Sequence, residues 1–450
     1  MPFLLLFSEV DFSKGKSETK RQYRNFSLWK NQTTKRKGVI PFMTTLVDML
    51  IPEYVKKFTC IGGACEDTCC SGWTVNIDED TYKKYKKVKH PEFKASLQQN
   101  VIKNNANPSK SFAAKMKLEQ SKCSFLSSEG WCSIQLKLGE DYLCTTCSVY
   151  PRRTNKVNGV MEQSLSVSCP EAARLVMLNQ EGILFEQVQE KAVIKEITST
   201  VNTRSETVSN WKQFFDEYRY VTIAILQNRN HTLEERLLIL GLLFNELEEC
   251  VAANKLADIP DILGNYLKCA EDGTLHGAFD HVAKRLDIQL RICRELVVVR
   301  LNQEISSARY LECSRDMMSG LGLQQQGADQ QAEEKYNQAY EAYYEPFMRE
   351  HGYMLENYLV NYVFKNCMPL EGATPFESYT RMIMHYSLIK VHLVGMAAHY
   401  EGLSTDAVIK LVQSISKTFE HNTEYFEKVM QLVKESGFMT LPYMSILIKN

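Results

Sequence analysis

The chain has 450 residues, of which 44% are hydrophobic, and its formal net charge is -1. This length and composition can bury a substantial core and predict two or three domains. The longest aliphatic or aromatic run, close to Leu237 to Phe244, is far shorter than the roughly 20 residues that cross a bilayer, which excludes a transmembrane helix.

The first 42 residues are basic, with nine Lys or Arg against three acidic residues, so this segment carries +6 and the remainder -7. Its short apolar run is broken by Glu9 and Asp11 and precedes the basic residues, unlike a signal peptide. We therefore expect a cytoplasmic protein in which residues 1–42 are a disordered extension or a mis-called start. The acidic remainder argues against nucleic-acid binding, while the lysine-rich stretch at 82–90 leaves peripheral membrane contact open.

Cysteines are concentrated in the first third of the chain, where nine of the fourteen fall within 110 residues. In a reducing cytosol such a cluster indicates metal or redox chemistry rather than disulfides. An inert core would use valine or leucine, which do not oxidise, so metal binding is favoured over packing for these nine. The predicted metal ligands are Cys60, Cys65, Cys69, Cys70, Cys123, Cys132, Cys144, Cys147 and Cys169.

The spacing of these cysteines leaves the metal open. Cys144 and Cys147 form a close pair of the kind found in structural zinc sites. Three closely spaced cysteines and one distant cysteine followed by proline could instead supply an iron–sulfur cluster, namely Cys60, Cys65, Cys69 and Cys169. The radical S-adenosylmethionine signature is absent, because Gly72 stands where its third cysteine would be.

Short secondary-structure elements are expected around the cysteines, in an irregular α+β module at residues 43–175. The alternation in WTVNID predicts a strand at 73–78, and Asp78 then caps a helix. Asn158 and Gly159 predict a two-residue hairpin turn. Pro170 predicts the first position of a helix that is capped by Cys169.

From residue 176 onward the periodicity is that of helices. Thr232 with Glu235, and Thr374 with Glu377, predict two capping boxes. The polar stretch near 320–335 predicts an exposed loop. We therefore predict a mainly α fold, in which a small cysteine-rich metal-binding module is followed by a multi-helix domain at 176–450.

Three stretches carry a further signal: PEYVKKFTCIGGACEDTCCSGWTVNID, CSFLSSEGWCSIQLKLGEDYLCTTCSVYPR and LENYLVNYVFKN. Together they resemble the flagellin lysine-N-methylase family over about residues 52 to 170 and one block of the C-terminal half. The resemblance implies an enzyme that transfers methyl groups from S-adenosylmethionine to lysine ε-amines of flagellin. It also implies a 4Fe-4S cluster on the cysteines, with zinc as the alternative metal. The rival interpretation is a non-catalytic metal-binding or redox-sensing module on a helical interaction scaffold.

A lysine amine, with an ordinary pKa of about 10.4, must lose a proton before it attacks a methyl sulfonium. The acids and phenols beside the thiols that could assist are Glu140, Asp141, Tyr142 and Tyr150, although each residue type is more commonly a structural contact. No dinucleotide-type glycine fingerprint opens a helix. The cofactor pocket is therefore expected between the module and the helical half, with Glu356 and Asn357 as candidate ligands.

Overall fold

The structure, a computed structural model, describes residues 46–190, 194–204, 210–275, 277–301, 305, 307–324, 329–420 and 423–449. The predicted extension at 1–42 lies outside these residues. The strands are β1 Val47–Pro52, β2 Asn76–Ile77, β3 Val101–Lys103, β4 Ala114–Met116, β5 Leu118–Glu119, β6 Lys122–Cys123, β7 Arg152–Val157, β8 Val160–Leu165, β9 Phe185–Glu190 and β10 Ser199–Val201.

Helices dominate the second half of the chain. The short helices of the first half are α1 Tyr54–Lys57, α2 Glu79–Lys86, α3 Pro91–Asn100, α4 Ser133–Leu138, α5 Thr145–Val149 and α6 Pro170–Met177. Those of the second half are α7 Phe215–Leu226, α8 Leu233–Ala252, α9 Ile259–Glu271, α10 Leu286–Leu301, α11 Ala308–Leu321, α12 Asp329–Ala339, α13 Glu345–His351, α14 Tyr353–Lys365, α15 Pro375–Tyr400, α16 Thr405–Ile415, α17 Thr423–Glu435 and α18 Leu441–Ile448. The predicted fold class, mainly α with an α+β region, is confirmed.

A five-stranded sheet has the order β10-β7-β8-β1-β9. Strands β7 and β8 form the predicted hairpin, in which Val157 pairs with Val160 and the turn residues Asn158 and Gly159 have φ of 48° and 91°. Strand β1 runs parallel to β8 and antiparallel to β9. Because β9 and β10 lie beyond residue 175, this sheet continues across the predicted domain boundary.

A second, smaller core forms around the sheet β2-β4-β3 and contains side chains between Val75 and Cys144. The strand predicted at 73–78 is shorter in the structure and spans Asn76–Ile77. Asp78 caps α2 as predicted, since its carboxylate accepts from the Thr81 N–H at 2.9 Å. The same carboxylate accepts from the Thr145 N–H at 2.9 Å, so it also fixes the start of α5.

The main core combines the helical half with residues 49–58 and 165–185. Helix α15 is buried along nearly its whole length and packs against α8 and α11. The capping box of Thr232 and Glu235 at α8 is confirmed. At α15 the Thr374 hydroxyl accepts from the Glu377 N–H at 3.2 Å, but the Glu377 carboxylate bonds to Arg381 at 2.9 Å, so the second box is incomplete.

The loop predicted near 320–335 is shorter in the structure. Helix α11 ends at Leu321, where Gly322 adopts a left-handed conformation that favours glycine, and residues 329–335 already belong to α12. None of the helices that the structure describes is both long and apolar enough to pass through a membrane.

Candidate functional site

Nine cysteines that are up to 109 residues apart in sequence line one cavity of about 490 Å³. They are the nine predicted from the sequence, Cys60, Cys65, Cys69, Cys70, Cys123, Cys132, Cys144, Cys147 and Cys169. We call this space the thiol cavity. Three of its cysteines stand immediately before helices α4, α5 and α6: Cys132, Cys144 and Cys169. Cys169 thus holds the predicted N-cap position of α6, but its side chain makes no cap hydrogen bond to the helix.

Two pairs of neighbouring thiols share a hydrogen bond within the thiol cavity. The bond from Cys69 lowers the pKa of Cys70 to about 7, and the same bond raises the pKa of Cys69. In the second pair the bond from Cys147 lowers the pKa of Cys144, while the pKa of Cys147 is raised well above its ordinary value. One sulfur of each pair is therefore stabilised as a thiolate by its neighbour.

Burial raises the pKa values of four other thiols in the cavity. It raises the pKa of Cys123 to about 12 and that of Cys169 to about 11, and it also raises the pKa values of Cys65 and Cys132. Taking these sulfurs out of water disfavours their anionic form. A positive charge bound in the cavity would reverse that balance, because metal ligation requires the thiolate.

The thiol cavity fits a thiophilic metal in its donor chemistry, since cysteine sulfur binds both zinc and iron–sulfur clusters. Within the described ranges, however, no group of three or more His, Cys, Asp or Glu side chains is arranged to hold a metal ion. The nine sulfurs thus share one cavity without converging on a single ligand set.

Two glycines let the Cys60–Cys65 loop pass beneath Trp131. A Cβ on Gly63 would lie 2.7 Å from the Glu129 carbonyl oxygen and 2.8 Å from Trp131 Nε1. Gly62 has φ +56° and faces the same indole ring. The close approach brings this loop against the segment that carries Cys132, and the Gly-Gly pair is the sequence signal that sequence reasoning missed.

The helical half contributes a contact that sequence reasoning also missed. The Gln413 side-chain amide donates to the Asp67 carboxylate and to the Ser168 carbonyl, each at 2.8 Å. Lys417 lies 2.6 Å from the same carboxylate. These bonds attach two segments of the cysteine module, at Asp67 and at Ser168, to the C-terminal helices. Gln413 belongs to α16, and Lys417 belongs to the π-helical segment Ser416–Glu420 that follows it.

The four proton-transfer candidates occupy different positions. Glu140 and Tyr150 line the thiol cavity. The Tyr150 hydroxyl lies 3.0 Å from the Ser168 hydroxyl, and burial raises the Tyr150 pKa well above its ordinary value, so it stays a neutral phenol. Asp141 and Tyr142 are not among the lining residues, and their backbone carbonyls accept from Lys84 and Tyr85.

The two cofactor candidates lie elsewhere. Glu356 is buried and bonds to Arg236 at 2.7 Å and to Arg229 at 2.9 Å. It lines a second cavity of about 640 Å³, whose lining residues all come from the helical half. Asn357 does not line that cavity, and its side-chain amide donates to the Asn179 carbonyl at 2.7 Å.

The other five cysteines are buried in the helical half: Cys250, Cys269, Cys293, Cys313 and Cys367. They do not line the thiol cavity. Only the first group of nine thiols therefore shares a common space, although Cys123 and Cys144 also belong to the smaller core.

A mainly helical chain with nine thiols on one cavity defines a cysteine-rich protein whose thiols line a shared space. A family model described as FliB lysine N-methylase C-terminal domain matches residues 219–447, just over half of the chain. The chain belongs to this family, which confirms the resemblance.

Curated relatives extend the match over most of the sequence. The chain is 22% identical over 386 residues to proteins named Lysine-N-methylase from Salmonella typhimurium and Salmonella choleraesuis, covering 83% of this chain and 92% of each relative. It is 33% identical over 132 residues to the Flagellar biosynthetic protein FliU of Salmonella muenchen, covering 29% of this chain and 78% of that protein. No solved structure matches the chain.

Proposed function

We propose that this protein transfers methyl groups from S-adenosylmethionine to lysine ε-amines of flagellin. The observation that carries the proposal is membership of the FliB lysine N-methylase family, together with relatives named Lysine-N-methylase that align over 92% of their length. Flagellin as the substrate is supported by the flagellar name of the FliU relative.

The proposal includes a metal centre in the thiol cavity, a 4Fe-4S cluster or, alternatively, zinc. It is supported by the nine cysteines that share this cavity, from which the ligands would be drawn. When bound, such a centre would supply positive charge beside the thiolates and, if it contains iron, a group that exchanges one electron.

Glu140 is our candidate for the group that accepts the proton of the substrate lysine. Three carboxylates line the thiol cavity, and two of them form ion pairs, Asp67 with Lys417 and Glu171 with Arg174. Glu140 is exposed at the cavity, where a lysine side chain of a protein substrate can reach it. A carboxylate within hydrogen-bond reach would remove the proton that keeps the amine unreactive.

The test is transfer of a labelled methyl group from S-adenosylmethionine to purified flagellin under strictly anaerobic conditions. We expect label on flagellin lysines, and none on flagellin whose lysines have been acetylated beforehand. Protein that contains its metal yet transfers no label would overturn the proposal and support the metal-binding module without catalysis.

A further inference from the structure

A run of lysines covers helix α2 and the residues that follow it. Residues 81–90 contain no acidic residue and five lysines, which we call the lysine edge: Lys83, Lys84, Lys86, Lys87 and Lys89. All five residues are exposed. Residues 73–147, which surround the smaller core, hold twelve lysines against eight acidic residues, whereas the chain beyond residue 42 carries -7 as a whole. The lysine edge is therefore a cationic surface on an otherwise acidic protein.

The lysine edge has few anionic partners within the protein. Lys83 Nζ lies 2.7 Å from Glu79 Oε1, four positions earlier in the same helix. Among the residues that the structure describes, no carboxylate lies within ion-pair distance of the other four lysines. Lys86 lies over the ring of Tyr82, with its ammonium 4.4 Å from the ring centroid. Four positive charges thus remain available to an anionic partner.

The stability of helix α2 does not explain the lysine edge. Lys83 and Lys87 are four positions apart, and Lys84 and Lys87 are three apart, so like charges lie side by side on the helix surface and destabilise it. Glutamine has a helix propensity close to that of lysine and would avoid this repulsion. Carboxylates of a partner that come between the ammonium groups would relieve it.

The lysine edge lies beside the opening of the thiol cavity. Lys84 Nζ donates to the Asp141 carbonyl oxygen at 3.2 Å, and the Tyr85 hydroxyl donates to the Tyr142 carbonyl oxygen at 2.9 Å. Both acceptors belong to a short 3-10 turn that begins at Glu140. Tyr85 and Glu140 line the thiol cavity. Helix α2 therefore forms part of the cavity wall, and its lysines stand on the sides of the helix that face water.

A protein substrate that brings a lysine to Glu140 must pass the lysine edge. A lysine surrounded by other cations is repelled there, whereas a lysine with neighbouring carboxylates is attracted through both of its charges. Helix α2 spans eight residues and is therefore about 12 Å long. Carboxylates that pair with the lysine edge would lie within roughly this distance of the acceptor lysine.

We propose that the lysine edge binds acidic side chains of the protein substrate that flank the lysine to be methylated. The proposal rests on the proposed function for the acceptor lysine, and it adds a rule for which lysines are selected. An anionic membrane is disfavoured as the partner, because the net charge of -7 beyond residue 42 is repelled by anionic lipids. A membrane bound here would also close the opening through which the substrate lysine enters.

The test is binding of two peptides, labelled with the same dye, to the whole protein, measured by fluorescence anisotropy at low salt. Each peptide has one central lysine, which is flanked by glutamates in the first and by glutamines in the second. The wild-type protein should bind the glutamate peptide about tenfold more tightly, because several exposed ion pairs act together although each contributes little. The difference should shrink as the NaCl concentration rises.

Charge reversal tests which lysines are responsible. Lys86→Glu with Lys87→Glu should abolish the preference for the glutamate peptide and favour a third peptide, in which arginines flank the lysine. The matched control is Lys103→Glu with Lys115→Glu, which makes the same change in net charge at exposed lysines of β3 and β4 that do not line the thiol cavity. The control should keep the wild-type preference. Melting midpoints verify that each variant is folded.

A wild-type protein that binds the glutamate and glutamine peptides equally, or binds neither, overturns the proposal. So does a control variant that loses the preference as completely as the lysine-edge variant. Binding to phosphatidylserine vesicles that the lysine-edge variant loses, without any difference between the peptides, overturns it in favour of a membrane surface.

Methyl transfer to flagellin by the same preparations separates this proposal from the proposed function. A wild-type protein that prefers the glutamate peptide but methylates no flagellin supports the lysine edge and overturns flagellin as the substrate. Methyl transfer to flagellin without any preference between the peptides overturns the lysine edge alone.

Discussion

The carboxylate of Asp67 lies 2.6 Å from the ammonium of Lys417, although the two residues are 350 positions apart in the chain. Their side chains are only 13% and 11% exposed. Asp67 stands between Cys65 and Cys69, so this pair fixes the cysteine-bearing loop to the C-terminal helices. The helical half therefore supplies part of the thiol cavity's support.

Lys417→Met should lower the free energy of unfolding by about 3–5 kcal/mol, because it leaves the Asp67 charge largely buried without its cation. Asp67→Asn alone should also destabilise the protein. The double variant should lose less free energy of unfolding than the sum of the losses in the two single variants. Urea unfolding of all four proteins measures the coupling, which we expect to exceed about 1 kcal/mol. If the losses of unfolding free energy in the two single variants simply add in the double variant, the pair does not anchor the loop.

Glu162 and Arg219 form a second linkage, between β8 and α7, through two bonds of 2.6 and 2.7 Å. Their side chains are 1% and 0% exposed. Glu162→Gln should destabilise the protein by roughly 3–5 kcal/mol, whereas Glu162→Leu combined with Arg219→Met should cost clearly less, since no buried charge is left unpaired. Thermal unfolding compares the variants. A double variant that is less stable than Glu162→Gln would contradict this explanation.

His385 should make stability depend on pH. It stacks on Phe426 at 4.4 Å, and burial lowers its pKa from 6.5 to about 4, with Glu420, Lys365 and Arg381 as the surrounding charges. Between these pKa values the unfolded chain binds the proton and the folded chain does not, so stability falls as the pH falls. The loss from pH 7 to pH 5 should be about 2 kcal/mol.

His385→Phe should remove this part of the pH dependence while keeping the stack on Phe426. The measurement is the difference in unfolding free energy between pH 7 and pH 5 for the variant and the wild-type protein. Equal differences in the two proteins would mean that His385 does not contribute.

Glu140→Gln should lower kcat for methyl transfer to flagellin by about 10²-fold or more and change KM little, because the amide cannot accept the proton. Asp141→Asn is the matched control, since Asp141 is adjacent but does not line the thiol cavity. Equal activity of the two variants would remove Glu140 from the proposed chemistry.

The sequence predicted those features that depend on neighbouring residues. The turn at Asn158 and Gly159 and the caps at Asp78 and Thr232 follow from local backbone preferences, and all three are present. Cysteine density in the sequence also singled out the nine thiols that line the thiol cavity, whereas their predicted role as metal ligands stays a prediction.

Features that depend on distant residues were not predictable. Nothing near Asp67 in sequence indicates Lys417 as its partner. The sequence on either side of the predicted boundary at residue 175 does not indicate that β9 and β10 belong to the same sheet as β1. The partners of Glu356 were not predictable either, because its carboxylate bonds to Arg229 and Arg236, which lie in a different part of the sequence.

The most direct test of the central claim is the iron and zinc content per chain of protein purified without air. We predict bound metal in the wild-type protein and in Cys269→Ser, which changes a packing thiol, and its loss from the double variant Cys144→Ser, Cys147→Ser. A wild-type protein that is folded but contains neither iron nor zinc would contradict the claim that the nine thiols hold a metal centre.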